Sequence, residues 1–389
     1  LSLKDPEVLK ADSEGNHFIY NEWHLSEFTR RHHDNGRCSY IPYNLNEGPW
    51  LYRENYAHKP DIAFVGVTAM SRHGFFNFGS IEKNKAICDA AQLVVLEVNP
   101  SMPWLMGGFD ECIHISQADY IVENDKYRVH ESYPSVPSDV DLAIARLVAD
   151  LIEDQSTIQL GIGGLPDEVG RLLIKRGARD LGVHTEMFTE SMMEMFEAGV
   201  ITNQKKTLNP GKAVCNFAVG SRRLYDFVDH NEMIAAFSVD YTNNPAIIAR
   251  NAKQVSVNSA LAVDLRGQVS SESNGNRHIS GTGGQLDFTR GALMSPGGKS
   301  IICLPSTYQD KKGNVISRIV ANHPLGTVVT VPRTDVSNIA TEFGVVNLKG
   351  KTVWERAIAL IEISHPDFRE DLMKQARQFN IIPKGVYRL

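Results

Sequence analysis

Positive charge is not in excess in this 389-residue sequence. Lys plus Arg number 40 against 46 Asp plus Glu, a formal net charge of -6. That balance, with no long basic run, argues against nucleic acid as the main partner. Long hydrophobic runs are missing too. The longest, such as QLVVLEV at 92–98, is strand-sized against the ~20 residues of a membrane span, so no membrane partner is expected. Cysteine is sparse: Cys38, Cys88, Cys112, Cys215 and Cys303 are odd in number and show no CxxC spacing. Such usage fits a reducing cytoplasm rather than a disulfide scaffold or structural zinc site. Cys112 with His114 falls short of zinc's usual four ligands, so no metal is expected. No signal-peptide pattern opens the chain, because 1–16 is polar and charged, and no initiating Met stands there, so residues ahead of Leu1 are expected. No Pro/Ser-rich linker separates halves and no repeat of 20–50 residues is visible.

What is present is ordinary globular material, with 42% hydrophobic and 22% charged residues. The length suits two or three domains. Strand-like and helix-like segments alternate throughout. DIAFVGV at 61–67 and QLVVLEV at 92–98 are apolar runs of the kind buried in parallel sheets. DLAIARLVADLIED at 141–154 has helical spacing, with Ser138 placed to cap it. TIQLGIGG at 157–164 reads as a strand running into a glycine turn; Pro166, Asp167 and Glu168 then open a helix that Gly177 closes. A second strand, DLGVHTEM at 180–187, completes a βαβ unit, and 191–198 returns to helix. Later strands are expected at 213–219, 234–239, 255–265, 300–305 and 327–331, with a helix at 222–229. A capping box formed by Thr352 and Glu355 starts the helix 353–363, and a charged helix follows at 367–378.

Three glycine clusters invite a phosphate-binding reading. GIGGLP at 161–166 has Pro166 where a dinucleotide fingerprint needs its third glycine, although Glu186 closes the next strand as the ribose-binding acid would. GGKS at 297–300 lacks the first P-loop glycine, since Leu293 stands there, and reads as a turn before a strand. GTGGQLDF at 281–288 lets backbone N–H groups approach a ligand closely, which suits an oxyanion or phosphate; as an isolated cluster it also reads as a tight turn.

Open α/β sheets bind ligands beyond the carboxyl ends of their strands. The βαβ unit sets two such ends side by side, so Glu186 would face the N–H groups of the glycine turn. A carboxylate beside a preorganised oxyanion hole can act as a covalent nucleophile toward an acyl carbonyl. On spacing alone, a solvated strand-end acid is the plainer reading.

An ordered series of motifs resembles the acetyl-CoA hydrolase/transferase family, close to its 4-hydroxybutyrate and butyryl-CoA:acetate CoA-transferases. The matching stretches are LGIGGLPDEV (160–169), GVHTEMFTESMMEMFEAGVI (182–201), KKTLNPGKAV (205–214) and RRLYDFVDHN (222–231). VNSALAVDLRGQVSSES (257–273), SGTGGQLDFTRGA (280–292), TEFGVVNLKGK (341–351) and HPDF (365–368) follow. The resemblance implies two open, mostly parallel-sheet α/β domains of the class I CoA-transferase (NagB/RpiA-like) type. They are expected at 1–205 and 206–389, with the active site between them and a first βα segment missing from the front. It places the nucleophile on Glu186 in the HTEM segment. The acyl-CoA contacts fall on Gly281, Gly283, Gly284 and Gln285, and the facing wall on Gly161, Ile162, Gly163 and Gly164.

The reaction so implied moves CoA from a short acyl-CoA, 4-hydroxybutyryl or butyryl, to acetate through a glutamyl-CoA thioester. Its partners are acyl-CoA and short carboxylic acids, with no tightly bound cofactor and a homodimer as the assembly. The alternatives are a short acyl-CoA hydrolase, a CoA-transferase for dicarboxylates such as succinate or itaconate, or a non-catalytic effector domain on a related fold. The effector reading wants a helix-turn-helix and basic balance, which are not found. Glu272 and Glu190 are rival nucleophiles, and His184 reads as a packed histidine rather than a base. Lys205, Lys206 and Lys299 are candidate contacts for the CoA phosphates, as are Lys212, Arg222 and Arg290; each reads equally as surface charge.

Overall fold

The structure, a computed structural model, describes residues 4–386 except Tyr127, Pro134 and Ile162. Its centre is a six-stranded sheet in the order Gly344–Asn347, Asn338–Thr341, Lys299–Cys303, Gln254–Ser259, Thr157–Leu160, Gly182–Val183. Every neighbouring pair is parallel except the first. Thr157–Leu160 is buried at every residue, as a parallel strand covered on both faces must be. The helix Gln285–Met294 packs on Gln254–Ser259 and Lys299–Cys303, while Asp139–Ala149 packs on Gly164–Arg176.

Local signals set the helix ends. Ser138 caps Asp139–Ala149 in a reciprocal box with Asp141, and Thr352 with Glu355 does the same for Val353–Glu362. Gly177 ends Gly164–Arg176 in the left-handed region at φ 70°. The expected strand at 180–187 is shorter. It keeps the sheet only over Gly182–Val183, after which the chain changes partners. The expected strand 255–265 is likewise two pieces, Gln254–Ser259 and Ala262–Asp264.

The central sheet draws strands from both sides of residue 205. Two of its strands precede that point and four follow it, and Thr157–Leu160 is hydrogen-bonded to Gln254–Ser259 across it.

A second, three-stranded parallel sheet orders Ile62–Val67, Leu93–Val98 and Tyr120–Glu123. Burial of Ile62–Val67 alternates strictly, and the outward face is apolar: Phe64 is 76% exposed, with Ile62, Leu93, Tyr120 and Val122 open beside it. The expectation that these runs are buried on both faces is therefore half met. The N-terminal part of the chain pairs Tyr20–Glu22 with Cys38–Tyr40 around the helix Glu27–Asp34 and lies against the loop at 277–287. Leu25 N donates to Ser280 O, Arg30 Nε to Ile279 O, and Arg277 pairs with Asp34.

Candidate functional site

Glu186 stands where the chain leaves the central sheet. Thr185 N donates to Val214 O at 3.0 Å, and Asn216 N and Phe217 N both donate to the Glu186 carbonyl at 2.8 and 3.3 Å. This change of partner carries the side chain to the loop at 281–285. There the carboxylate accepts Asn243 Nδ2 at 2.7 Å and the N–H of Gly284. Gly284 is the N-cap of the helix Gln285–Met294, so the acid sits where unpaired backbone N–H groups favour an anion. Burial pushes Glu186 up to about 7; Asn243 and the Gly284 N–H pull it back, and the charge of Glu82 adds to the rise.

The glycines of the loop answer separate demands. Gly283 has φ 53°, the left-handed region. Gly284 has an ordinary φ of -91°, but a Cβ there would overlap Glu186 Oε2 and Asn243 Nδ2. At Gly281 a Cβ would stand 2.7 Å from Trp23 O and 2.9 Å from His24 Cα. The Gln285 side chain is engaged within the protein: its Nε2 donates to Ser259 O at 3.2 Å.

Asp287, one turn into the helix, accepts the backbone N–H and the side-chain amide of Asn46. Burial pushes Asp287 up to about 7, the Asn46 bonds oppose it, and Glu186 adds to the push. Those bonds fasten the N-terminal part of the chain to the start of this helix, and Trp23 and His24 lie against Gly281 in the loop before it. Burial holds His24 near 4, so its imidazole is neutral at pH 7.

The glycine turn is less open than expected. Gly161 N already donates to Val257 O, and the Cβ position of Gly164 is blocked by Ser135 and Pro137. Of the turn's described residues, only Gly163, at φ 118°, faces empty space. Ile162 lies outside the described residues.

The rival acids have other work. Glu190 accepts Ser221 N and Oγ, and Glu272 is buried with Thr282 and Thr330 hydroxyls on its carboxyl, which burial drives upward. His184 is fully buried: Nε2–H donates to Thr242 O at 2.8 Å and Nδ1 accepts Asn251 Nδ2 at 3.1 Å. A carbonyl can only accept, so this tautomer is forced. Burial holds the ring near 3, which leaves no base.

Most candidate phosphate contacts are engaged elsewhere. Lys206 is buried and donates to Val183 O and Lys212 O, both at 2.7 Å, and burial pushes it down to about 7. Lys299 begins its strand, at the sheet end opposite Glu186, and pairs with Glu153 at 2.7 Å. Lys212 is bonded to Glu232 O, Arg222 to Asp226 and Arg290 to Asp335, whereas Lys205 is exposed. Sequence reasoning missed Asn243, Asn46, Glu82, Lys83, Trp23 and Tyr43. Only Asn243 had a local signal, in the NNP turn at 243–245. Among the described residues, no group of His, Cys, Asp or Glu is placed to hold a metal, and no helix is long and apolar enough to cross a membrane.

These features define a mixed α/β protein, built on several sheets with parallel strands, that presents a half-buried carboxylate to a glycine loop. The chain belongs to the acetyl-CoA hydrolase/transferase family: residues 1–130 match its N-terminal domain and residues 220–376 its C-terminal domain. It is 42% identical to a butyryl-CoA:acetate CoA-transferase of Anaerostipes caccae over 96% of this chain and 84% of that one. It is 45% identical to a 4-hydroxybutyrate coenzyme A transferase of Clostridium kluyveri over 93% of this chain and 82% of the relative. Among solved structures it superposes on a 4-hydroxybutyrate CoA-transferase of Porphyromonas gingivalis with a TM-score of 0.77 and 38% identity, covering 95% of this chain and 89% of that one.

Proposed function

We propose that this enzyme is a CoA-transferase that moves CoA from a short acyl-CoA, 4-hydroxybutyryl or butyryl, to acetate, with Glu186 as nucleophile. The observation that carries the reading is the Glu186 carboxylate held between Asn243 Nδ2 and the Gly284 N–H at a helix N-terminus. The names of relatives at 42–45% identity supply the substrates. The scaffold that goes with it is the class I CoA-transferase (NagB/RpiA-like) type, and the assembly is a homodimer.

One Glu186 oxygen attacks the thioester carbonyl; the C–S bond breaks and CoA thiolate leaves, giving an acyl-glutamyl anhydride. The thiolate then attacks the Glu186 carboxyl carbon, expels the first acid as its carboxylate and leaves a glutamyl-CoA thioester. Acetate runs the two steps in reverse and departs as acetyl-CoA. The thiolate formed is the thiolate consumed, so no proton is exchanged and no Ser-His-Asp set is needed. The backbone N–H groups of the 281–285 loop stabilise the oxyanions, and transfer requires that water be kept from the two activated intermediates.

Butyryl-CoA with and without acetate, following acetyl-CoA and free CoA separately, tests the reading. Acetyl-CoA formed only with acetate is the expected result, together with a CoA adduct on the Glu186 peptide that Glu186→Gln lacks. Equal release of free CoA in both reactions would make the enzyme a hydrolase. Transfer restricted to succinyl-CoA would make it a dicarboxylate enzyme.

A further inference from the structure

One charged pair beside Glu186 is not used by these steps. Glu82 has φ 40°, a left-handed conformation that side chains other than glycine rarely hold, and its backbone is pinned there. Its N–H donates to Asn216 Oδ1 at 3.2 Å, and its carbonyl accepts Val239 N at 3.0 Å and Ser238 Oγ at 2.8 Å. Asn216 is also the residue whose N–H donates to the Glu186 carbonyl, so a single asparagine ties the two backbones together, and the Glu82 charge acts on the Glu186 carboxyl. Next to Glu82, the Lys83 ammonium lies 4.8 Å from the Trp23 ring centre and 5.6 Å from that of Tyr43, with the Tyr43 hydroxyl at 3.3 Å. Its distance to Glu82 Oε2 is 3.8 Å, an ion pair longer than a hydrogen bond. Glu82 is 38% exposed and accepts Ser80 Oγ at 3.3 Å, and Lys83 is 9% exposed, so the pair presents a carboxylate face backed by an ammonium with donor capacity to spare.

We propose that Glu82 and Lys83 read the far end of the acyl group and select an ω-hydroxyacyl thioester over an alkyl or a dicarboxylic one. The inference rests on the CoA-transfer reading above. A hydroxyl donates to Glu82 while accepting from Lys83, replacing the water that the pair loses. An alkyl end strips that water and returns nothing. A second carboxylate meets Glu82 as a like charge, and the adjoining pair offers no net positive charge to offset it.

The test is the ratio of kcat/KM for 4-hydroxybutyryl-CoA, butyryl-CoA and succinyl-CoA, each with acetate, in the 389-residue enzyme and in Lys83→Met and Glu82→Gln. The natural enzyme should favour the hydroxyacyl substrate over butyryl-CoA by about tenfold or more. Lys83→Met, which keeps an unbranched chain against Trp23 and Tyr43, should cut that ratio by about tenfold. Glu82→Gln leaves the ammonium unbalanced and should raise succinyl-CoA relative to the other two by a similar factor, about tenfold. Ratios that neither variant moves, in an enzyme that transfers all three, overturn this inference and leave CoA transfer intact. No acetyl-CoA from any of the three overturns both.

Discussion

At the residue scale, the energetics of Glu186 follow from a conflict between burial and two donors. A carboxylate must be ionised to attack, yet burial lifts this one to about 7. Transfer is therefore expected to have a kcat/KM that rises with pH and levels off above about 7, as an initial-rate profile with butyryl-CoA would show. A flat profile down to pH 5 would contradict it. The same shift has a thermodynamic consequence. The folded value lies above the ordinary 4.5, so the native state binds the extra proton, and stability falls as pH rises from 4.5 through about 7. Glu186→Gln removes that loss. It should melt at a higher temperature than the natural protein above that window while losing transfer by about a thousandfold or more.

At the scale of elements, the site depends on one loop-to-helix junction. Gly284, the N-cap of the helix Gln285–Met294, offers its N–H to Glu186, and Asp287 of that helix ties down Asn46. Gly284→Ala is compatible with the backbone angles at that position and incompatible with the Glu186 carboxylate and the Asn243 amide lying over it. It should fold with an unchanged circular dichroism spectrum and turn over about 100-fold more slowly, because the nucleophile must move aside. Activity near the natural level would show that the loop and Glu186 are not packed together. Lys206 illustrates the opposite case at the same scale. It stands in a motif rich in basic residues, yet it holds Val183 O and Lys212 O together under the strand that carries the acid.

At the scale of the whole molecule, the three-stranded sheet leaves an apolar face in water. Parallel sheets are ordinarily covered on both sides, and here Phe64, Ile62, Leu93 and Val122 line the open one. The 389-residue chain should therefore bind a hydrophobic dye and associate as its concentration rises. Phe64→Ser should weaken both, by light scattering and dye fluorescence. A chain that stays monomeric and dark at high concentration would mean that this face is closed in solution.

How much of this was legible beforehand depended on how far apart in sequence the interacting groups lie. The strand at 157–160, the glycine turn, the Gly177 stop and the two capping boxes are written within a few residues of one another, where turn chemistry and hydrogen-bond reach act locally. The family was readable for the same reason, because contiguous motifs carry it. Tertiary structure alone decided that Asn243 and Gly284 hold Glu186, and that Asp287 binds Asn46 from 241 residues away. It alone stood Glu82 beside Glu186 and gave Lys206 to the backbone. Polar residues that meet only after distant segments pack follow no period of 2 or 3.6, so no local pattern marks them. Their partners exist only once burial makes an unpaired polar group too costly to leave unmatched.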